Sequence, residues 1–200
     1  MDEYYKKIFD MNINGQGGWA TFYYGVFSKI INDNNYKVVA EVGIGYGNHA
    51  FTILRDTNIE KLYLIDPHKE YPNDGFSSDI VNNGGFEALV KNVIKSLEQY
   101  ANRYTWFRKE SLKITNEEIN DESLDAVFID GDHSYDAVLA DLNFWWKKVK
   151  PGGQMLGDDY ESCCPEVAPA VKKFANDNNL KFDLLTKENN IYPIYRFIKP

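Results

Sequence analysis

Residues 37–51 read KVVAEVGIGYGNHAF. A short β-rich run, KVVAEVG (37–43), passes through glycines at 43, 45 and 47 and opens into a helical pattern. Strand, tight turn and helix in that order begin a βαβ unit. Glycines at these positions let the backbone turn sharply and approach a ligand with no Cβ between them. A dinucleotide-binding turn would need a further glycine at 48, where Asn48 stands, and no Lys-Ser/Thr pair closes a phosphate loop. A nucleoside without a pyrophosphate therefore suits the turn better than NAD or ATP. Glu41 adds to this, because an acid inside an apolar strand is expensive to bury without a donor or cation beside it.

The alternation started there continues. Strands are expected at KLYLID (61–66), YTWFRK (104–109), LDAVFID (124–130), GQMLGDD (153–159), KFDLLT (181–186) and YPIYRFI (192–198). Between them lie helical patterns: Phe86, Leu89, Val90, Val93, Ile94 and Leu97 at helical spacing, a second helix capped by Ser134 and running through Trp145 and Trp146 until KPGG stops it, and a third after Pro165. The last two strands are too close for a crossover helix and must form an antiparallel hairpin. The expectation is an α/β fold: a Rossmann-like, mostly parallel sheet of seven strands with an antiparallel final strand and helices on both faces. Residues 1–200 read as a single domain, with 1–33 (including the glycine-rich NINGQGG and the aromatics Trp19, Tyr23 and Tyr24) as an N-terminal lid or acceptor segment. Residues 67–83 read as a long polar loop, of the kind that closes or lines a binding site.

Acids mark one edge of that sheet. Asp66 ends the second strand, placed to accept hydrogen bonds from ribose hydroxyls. Asp130 ends the fourth, in FIDGDHSYD (128–136), and Asp158 and Asp159 end the fifth. Neighbouring strands run ~4.8 Å apart, so Asp130, Asp158 and Asp159 can converge at the carboxyl edge, where open α/β sheets bind ligands. Three converging carboxylates raise one another's pKa unless a cation joins them, and all-oxygen ligands suit a hard divalent ion, Mg²⁺ first among them. Asp132 and Asp136 are not expected to be ligands, since Asp136 falls in the first turn of a helix, where negative charge is favoured anyway. His49 and His68 read as incidental, and Trp145 and Trp146 as helix packing.

The bulk composition excludes other classes. A formal charge of −8 and a pI near 4.9 disfavour a nucleic-acid partner held by its phosphates. No stretch approaches the ~20 apolar residues of a membrane span. The start, MDEYYKK, lacks the pattern of a secretory signal, and the only cysteines, Cys163 and Cys164, are neighbours. A reducing cytoplasmic setting is the expectation.

EVGIGYG, LID and the terminal hairpin resemble the class I S-adenosylmethionine-dependent methyltransferases over roughly residues 36–200. The resemblance implies that Gly43, Gly45 and Gly47 pass under the methionine and ribose of the cofactor, that Glu41 supports the loop, that Asp66 holds the ribose, and that Ser111 or Glu110 lies by the adenine. FIDGDHSYDAVLADL, KPGG and GDDY further resemble the metal-dependent O-methyltransferases that act on catechols and on sugar hydroxyls of macrolides. That likeness implies a metal held by Asp130, Asp158 and Asp159, with Asp130 also orienting the sulfonium end of the cofactor. It implies a base three residues after the first metal acid, a lysine in the catechol enzymes and a histidine in the sugar enzymes; His133 stands there. The expected function is methyl transfer from S-adenosylmethionine to a hydroxyl of a sugar or glycoside, metal-assisted, with pairing into a homodimer common in the family. A phenolic acceptor, or a non-catalytic cofactor-binding interaction domain, are the alternatives. A small-molecule or glycan acceptor is the expected partner, with no nucleic acid and no membrane.

Overall fold

A computed structural model describes residues 3–13, 24–71, 75–161, 164–185 and 193–200. Its core is one sheet of seven strands: β1 (Val38–Val42), β2 (Lys61–Ile65), β3 (Tyr104–Phe107), β4 (Leu124–Ile129), β5 (Val149–Gly157), β6 (Asp183–Leu185) and β7 (Ile194–Ile198). The spatial order is β3-β2-β1-β4-β5-β7-β6. The first five strands pair in parallel, whereas β7 runs antiparallel to both β5 and β6. This is the expected seven-strand sheet with its reversed final strand. The connection the sequence assigned to the hairpin, 186–192, lies outside the described residues, as do the glycine-rich turn, Trp19, Tyr23 and Cys163.

The strands are buried on both sides, and successive residues serve different layers, as the period of two demands. Val39, Ala126 and Phe128 face one layer with Phe27, Ile53, Leu54 and Leu89. Ala40, Val42, Val127 and Ile129 face the other with Trp145, Val171 and Phe174. The first layer is built by α1 (Glu3–Ile13), α2 (Tyr24–Asn34), α3 (Asn48–Asp56) and α5 (Phe86–Leu97); the second by α6 (Tyr135–Lys148) and α7 (Val167–Asp177). Glu41 shares the parity of Val39 and so points into the α3 layer. Trp145 is fully buried and Trp146 meets Phe174 and Phe197 edge-on, so both tryptophans pack the helix as expected.

Three local expectations change. Residues 67–83 are not a continuous loop: α4 (Gly75–Asn82) forms there, because Ile80 is apolar enough to seat fully in the first layer. Ile94 lies half-exposed, so the apolar stripe of α5 is narrower than its sequence. Ser134 holds the N-cap position of α6, but its hydroxyl makes no capping bond. The amide of Tyr135 donates instead to Glu166 Oε2 at 2.7 Å, from the segment after β5, and that of Ser134 to Asp132 Oδ1 at 2.9 Å. A carboxylate is a stronger acceptor than a hydroxyl for those first amides and also answers the helix dipole.

KPGG does not stop α6: the helix ends at Lys148 and β5 begins directly at Val149, so KPGG lies within that strand; Val149 pairs with Leu124, the register then shifts, and Gln154 pairs with Ala126. Further along, Gly157 lies opposite Tyr195 of β7, and a Cβ there would meet the tyrosine hydroxyl at 2.1 Å. Only glycine lets β5 pass under that ring just before it delivers Asp158 and Asp159. Because Trp145 fills the second layer, Trp145→Ala is expected to destabilise the protein by about 3–5 kcal/mol, measurable as a lowered urea midpoint with an unchanged slope.

Candidate active site

The carboxyl ends of β1, β2, β4 and β5 open onto one cavity of about 1080 Å³. The glycine turn forms its floor. Gly43 has φ of +80°, and a Cβ on it would lie 2.0 Å from the backbone oxygen of Asp130. The turn therefore rests directly on the end of β4, which links it to the acidic cluster by backbone contact. Gly45 and Gly47 also lie at positive φ, and Gly47 starts α3.

Asp66 holds this turn. Its Oδ2 accepts from the amides of Ile44 (2.9 Å) and Gly45 (3.2 Å), and its Oδ1 from the amide of His68 (2.7 Å). His68 returns the favour through Nε2, 2.7 Å from the carbonyl of Gly45. Glu41 is buried beneath, its Oε1 3.1 Å from His49 Nδ1 and its Oε2 without a hydrogen-bond partner. Burial pushes the Glu41 carboxyl up, against the opposing pull of His49. His49 and His68, read from sequence as incidental, are thus structural partners of the two acids that define the pocket. No pattern in the chain announces this, since each histidine meets its acid only through the fold.

On the adenine side the two candidates differ. Glu110 is half-exposed and ion-paired to Lys69, while the Ser111 hydroxyl donates to Asp141 Oδ1. Both line the cavity, and so does Asp141, which sequence reading missed. The signal was present: Asp141 falls within the stripe Val138, Leu142, Trp145 of α6, an acid in an apolar row like Glu41 in its strand. Burial is the main reason its carboxyl rises to about 6; the Ser111 hydrogen bond opposes this and the charge of Asp132 adds to it.

The acidic cluster forms as the strand order requires. Asp130, Asp158 and Asp159 each offer a carboxylate oxygen, all within 4.8 Å of one another. Asp158 is buried, its Oδ1 has no hydrogen-bond partner among the described residues, and burial followed by the charges of Asp130 and Asp159 raises its pKa to about 8. Asp159 adopts the left-handed conformation, φ +61°, which Asp tolerates better than most residues. His133 Nε2 sits 3.3 Å from Asp130 Oδ1 and 3.0 Å from Asp159 Oδ2. A buried, partnerless carboxylate oxygen among two further acids is what a divalent ion would satisfy, and the all-oxygen donor set fits Mg²⁺. Asp132 is exposed and engaged with the Ser134 amide, as a non-ligand should be.

A family model described as a methyltransferase domain matches residues 40–160, more than half of the chain. The chain belongs to this methyltransferase family. Its sheet order and reversed last strand are those of the class I S-adenosylmethionine-dependent methyltransferases. An uncharacterized protein of Acanthamoeba polyphaga mimivirus is 31% identical over 144 residues; the match covers 68% of this chain and 58% of the relative, so the chain spans little more than half of that protein's length. Among solved structures, an O-methyltransferase from Bacillus cereus in complex with SAH is similar over 100% of this chain and 92% of its own (TM-score 0.66, 15% identity). An rRNA methylase from Streptococcus thermophilus is similar over 87% of this chain and 94% of its own (TM-score 0.62, 11% identity). At such identities the likeness is one of fold, and a fold alone does not fix the acceptor.

The raised Asp141 carboxyl gives a pH test with a definite sign. Its folded pKa of about 6 lies above the ordinary ~3.9 of an unfolded Asp. Its contribution is therefore fully favourable below the unfolded value and is lost as pH rises through about 6. Urea unfolding of wild type against Asp141→Asn from pH 4 to 8 should show the variant gaining relative stability across that window, by at most about 3 kcal/mol at 1.36 kcal/mol per pKa unit, and then no further change.

Proposed function

We propose that this protein transfers the methyl group of S-adenosylmethionine to a hydroxyl of a sugar or glycoside carrying adjacent hydroxyls, assisted by a divalent cation held by Asp130, Asp158 and Asp159. The observation that carries the reading is the convergence of these three carboxylates with His133 at one edge of the cavity whose floor is the glycine turn. Gly43, Gly45 and Gly47 present a floor with no side chains on which the methionine and ribose portions can lie. Asp66 orders that floor through the amides of Ile44, Gly45 and His68 and is the residue proposed to meet the ribose. Ser111, fixed by Asp141, and Glu110 border the adenine end. Asp130 stands where the floor meets the cluster and orients the sulfonium.

The cofactor supplies a methyl group already activated on sulfur, and the cation, when bound, lowers the pKa of an adjacent hydroxyl. What remains for the chain is to align acceptor oxygen and methyl carbon and to take one proton. His133 suits the second task. Burial pushes its imidazole down, but hydrogen bonds and charge from Asp130 and Asp159 outweigh that and raise its pKa to about 10. An imidazole so held keeps its proton at neutral pH and cannot act as a base. The two carboxylates responsible are the proposed cation ligands, so engaging them leaves burial as the dominant influence and frees the ring to accept a proton. A histidine rather than a lysine at this place favours a sugar over a catechol. Tyr46 and Phe76, edge-on at 5.2 Å and both lining the cavity, offer apolar rings to a sugar face. The acidic surface favours an uncharged acceptor over a nucleic acid.

Mono- and disaccharide acceptors incubated with S-adenosylmethionine and read by mass are expected to gain one methyl group in the presence of Mg²⁺ and none after rigorous chelation. His133→Ala should lose most of that activity, since removing a positioned base costs typically 10²–10⁴-fold. Full turnover after chelation, or a fully active His133→Ala, contradicts the reading.

A further inference from the structure

Beside the all-oxygen cluster lies a second donor set of different chemistry. His133 Nε2 is 3.0 Å from Asp159 Oδ2, and Cys164 Sγ is 3.7 Å from the same oxygen. One ligand atom from each of the three residues falls within 4.8 Å of the others. A tetrahedral ion with Zn–N near 2.0–2.1 Å and Zn–S near 2.3 Å separates its ligands by roughly 3.4–3.7 Å, so these atoms need move only slightly to share one. Next to the shared carboxylate, Asp158 is buried, and its Oδ1 has no hydrogen-bond partner among the described residues.

We propose that His133, Asp159 and Cys164 form a binding site for a borderline-soft dication, Zn²⁺ above all, that competes with the oxygen-only cluster for Asp159. Thiolate and imidazole select such ions, whereas Mg²⁺ has little use for either. Three protein ligands leave the fourth position to solvent. The two sites cannot both use Asp159 Oδ2, so occupancy of one weakens the other. Zinc in the second site also engages His133, the residue proposed to receive the proton, and so holds the enzyme in an inactive state. The ligand argument stands apart from the acceptor and would survive a wrong assignment of the reaction.

Cobalt makes the site visible. Metal-stripped, full-length protein titrated with Co²⁺ is expected to develop a thiolate-to-cobalt charge-transfer band that saturates at a single ion per chain and is displaced by Zn²⁺. Cys164→Ser should abolish the band and weaken Zn²⁺ binding by roughly 100-fold or more, beyond the 10–100-fold typical of losing only an outer-shell partner. Cys163→Ser should keep both. In the wild-type protein, without any substitution, Zn²⁺ but not Mg²⁺ should slow alkylation of Cys164 as read by peptide mass spectrometry. A wild-type protein lacking the band, a Cys164→Ser protein retaining it, or alkylation indifferent to Zn²⁺ would each overturn the proposal. Because none of these readouts involves methyl transfer, failure here leaves the proposed reaction untouched, and the converse holds as well.

Discussion

Like-charge repulsion at the end of two adjacent strands is the constraint around which this molecule is arranged. β4 and β5 pair in register through Ile129 and Gly157, so the residues that follow, Asp130 and Asp158, cannot avoid one another. Asp159 adds a third carboxylate. Among the described residues, the imidazole of His133 faces Asp130 and Asp159, and burial with the charges of those two acids holds the Asp158 carboxyl up. Such a cluster is destabilising by itself, and its persistence at the mouth of a cavity is the physical argument for a ligand that repays it.

That edge is coupled to the glycine turn by direct backbone contact. Gly43 presses on the backbone of Asp130 with no room for a Cβ, and the turn above it is fastened by Asp66 and His68. Glu41 and His49 brace it from below. Any displacement of the glycine turn therefore moves the first acid of the cluster. Ser111 and Asp141, hydrogen-bonded to each other, line the same cavity as the acids.

Much of this could be read in the chain. The strand–glycine–helix opening, the run of acids at strand ends and the short terminal connection specify a parallel sheet with a reversed last strand, because each is a local pattern with a single topological solution. The acidic cluster followed from strand spacing alone. What escaped were contacts made only by tertiary packing. His49 meets Glu41 because α3 folds back over β1, and His68 meets Gly45 because the chain after β2 curls over the turn. The cap of α6 comes from Glu166, thirty-one positions beyond the amide it holds. α4 was hidden in a polar stretch whose one buried isoleucine is a weak periodic signal. Asp141 was legible by the rule applied to Glu41, an acid within an apolar row.

The most direct test of the central claim is equilibrium binding of Mn²⁺, a paramagnetic stand-in for Mg²⁺, followed by loss of the free-ion resonance signal near neutral pH. The account predicts that wild-type protein takes up a single ion and that Asp158→Asn weakens uptake by roughly 10–100-fold or more, while stabilising the ion-free fold by removing a repelled carboxylate. No uptake at millimolar Mn²⁺, or equal uptake by Asp158→Asn, would contradict it.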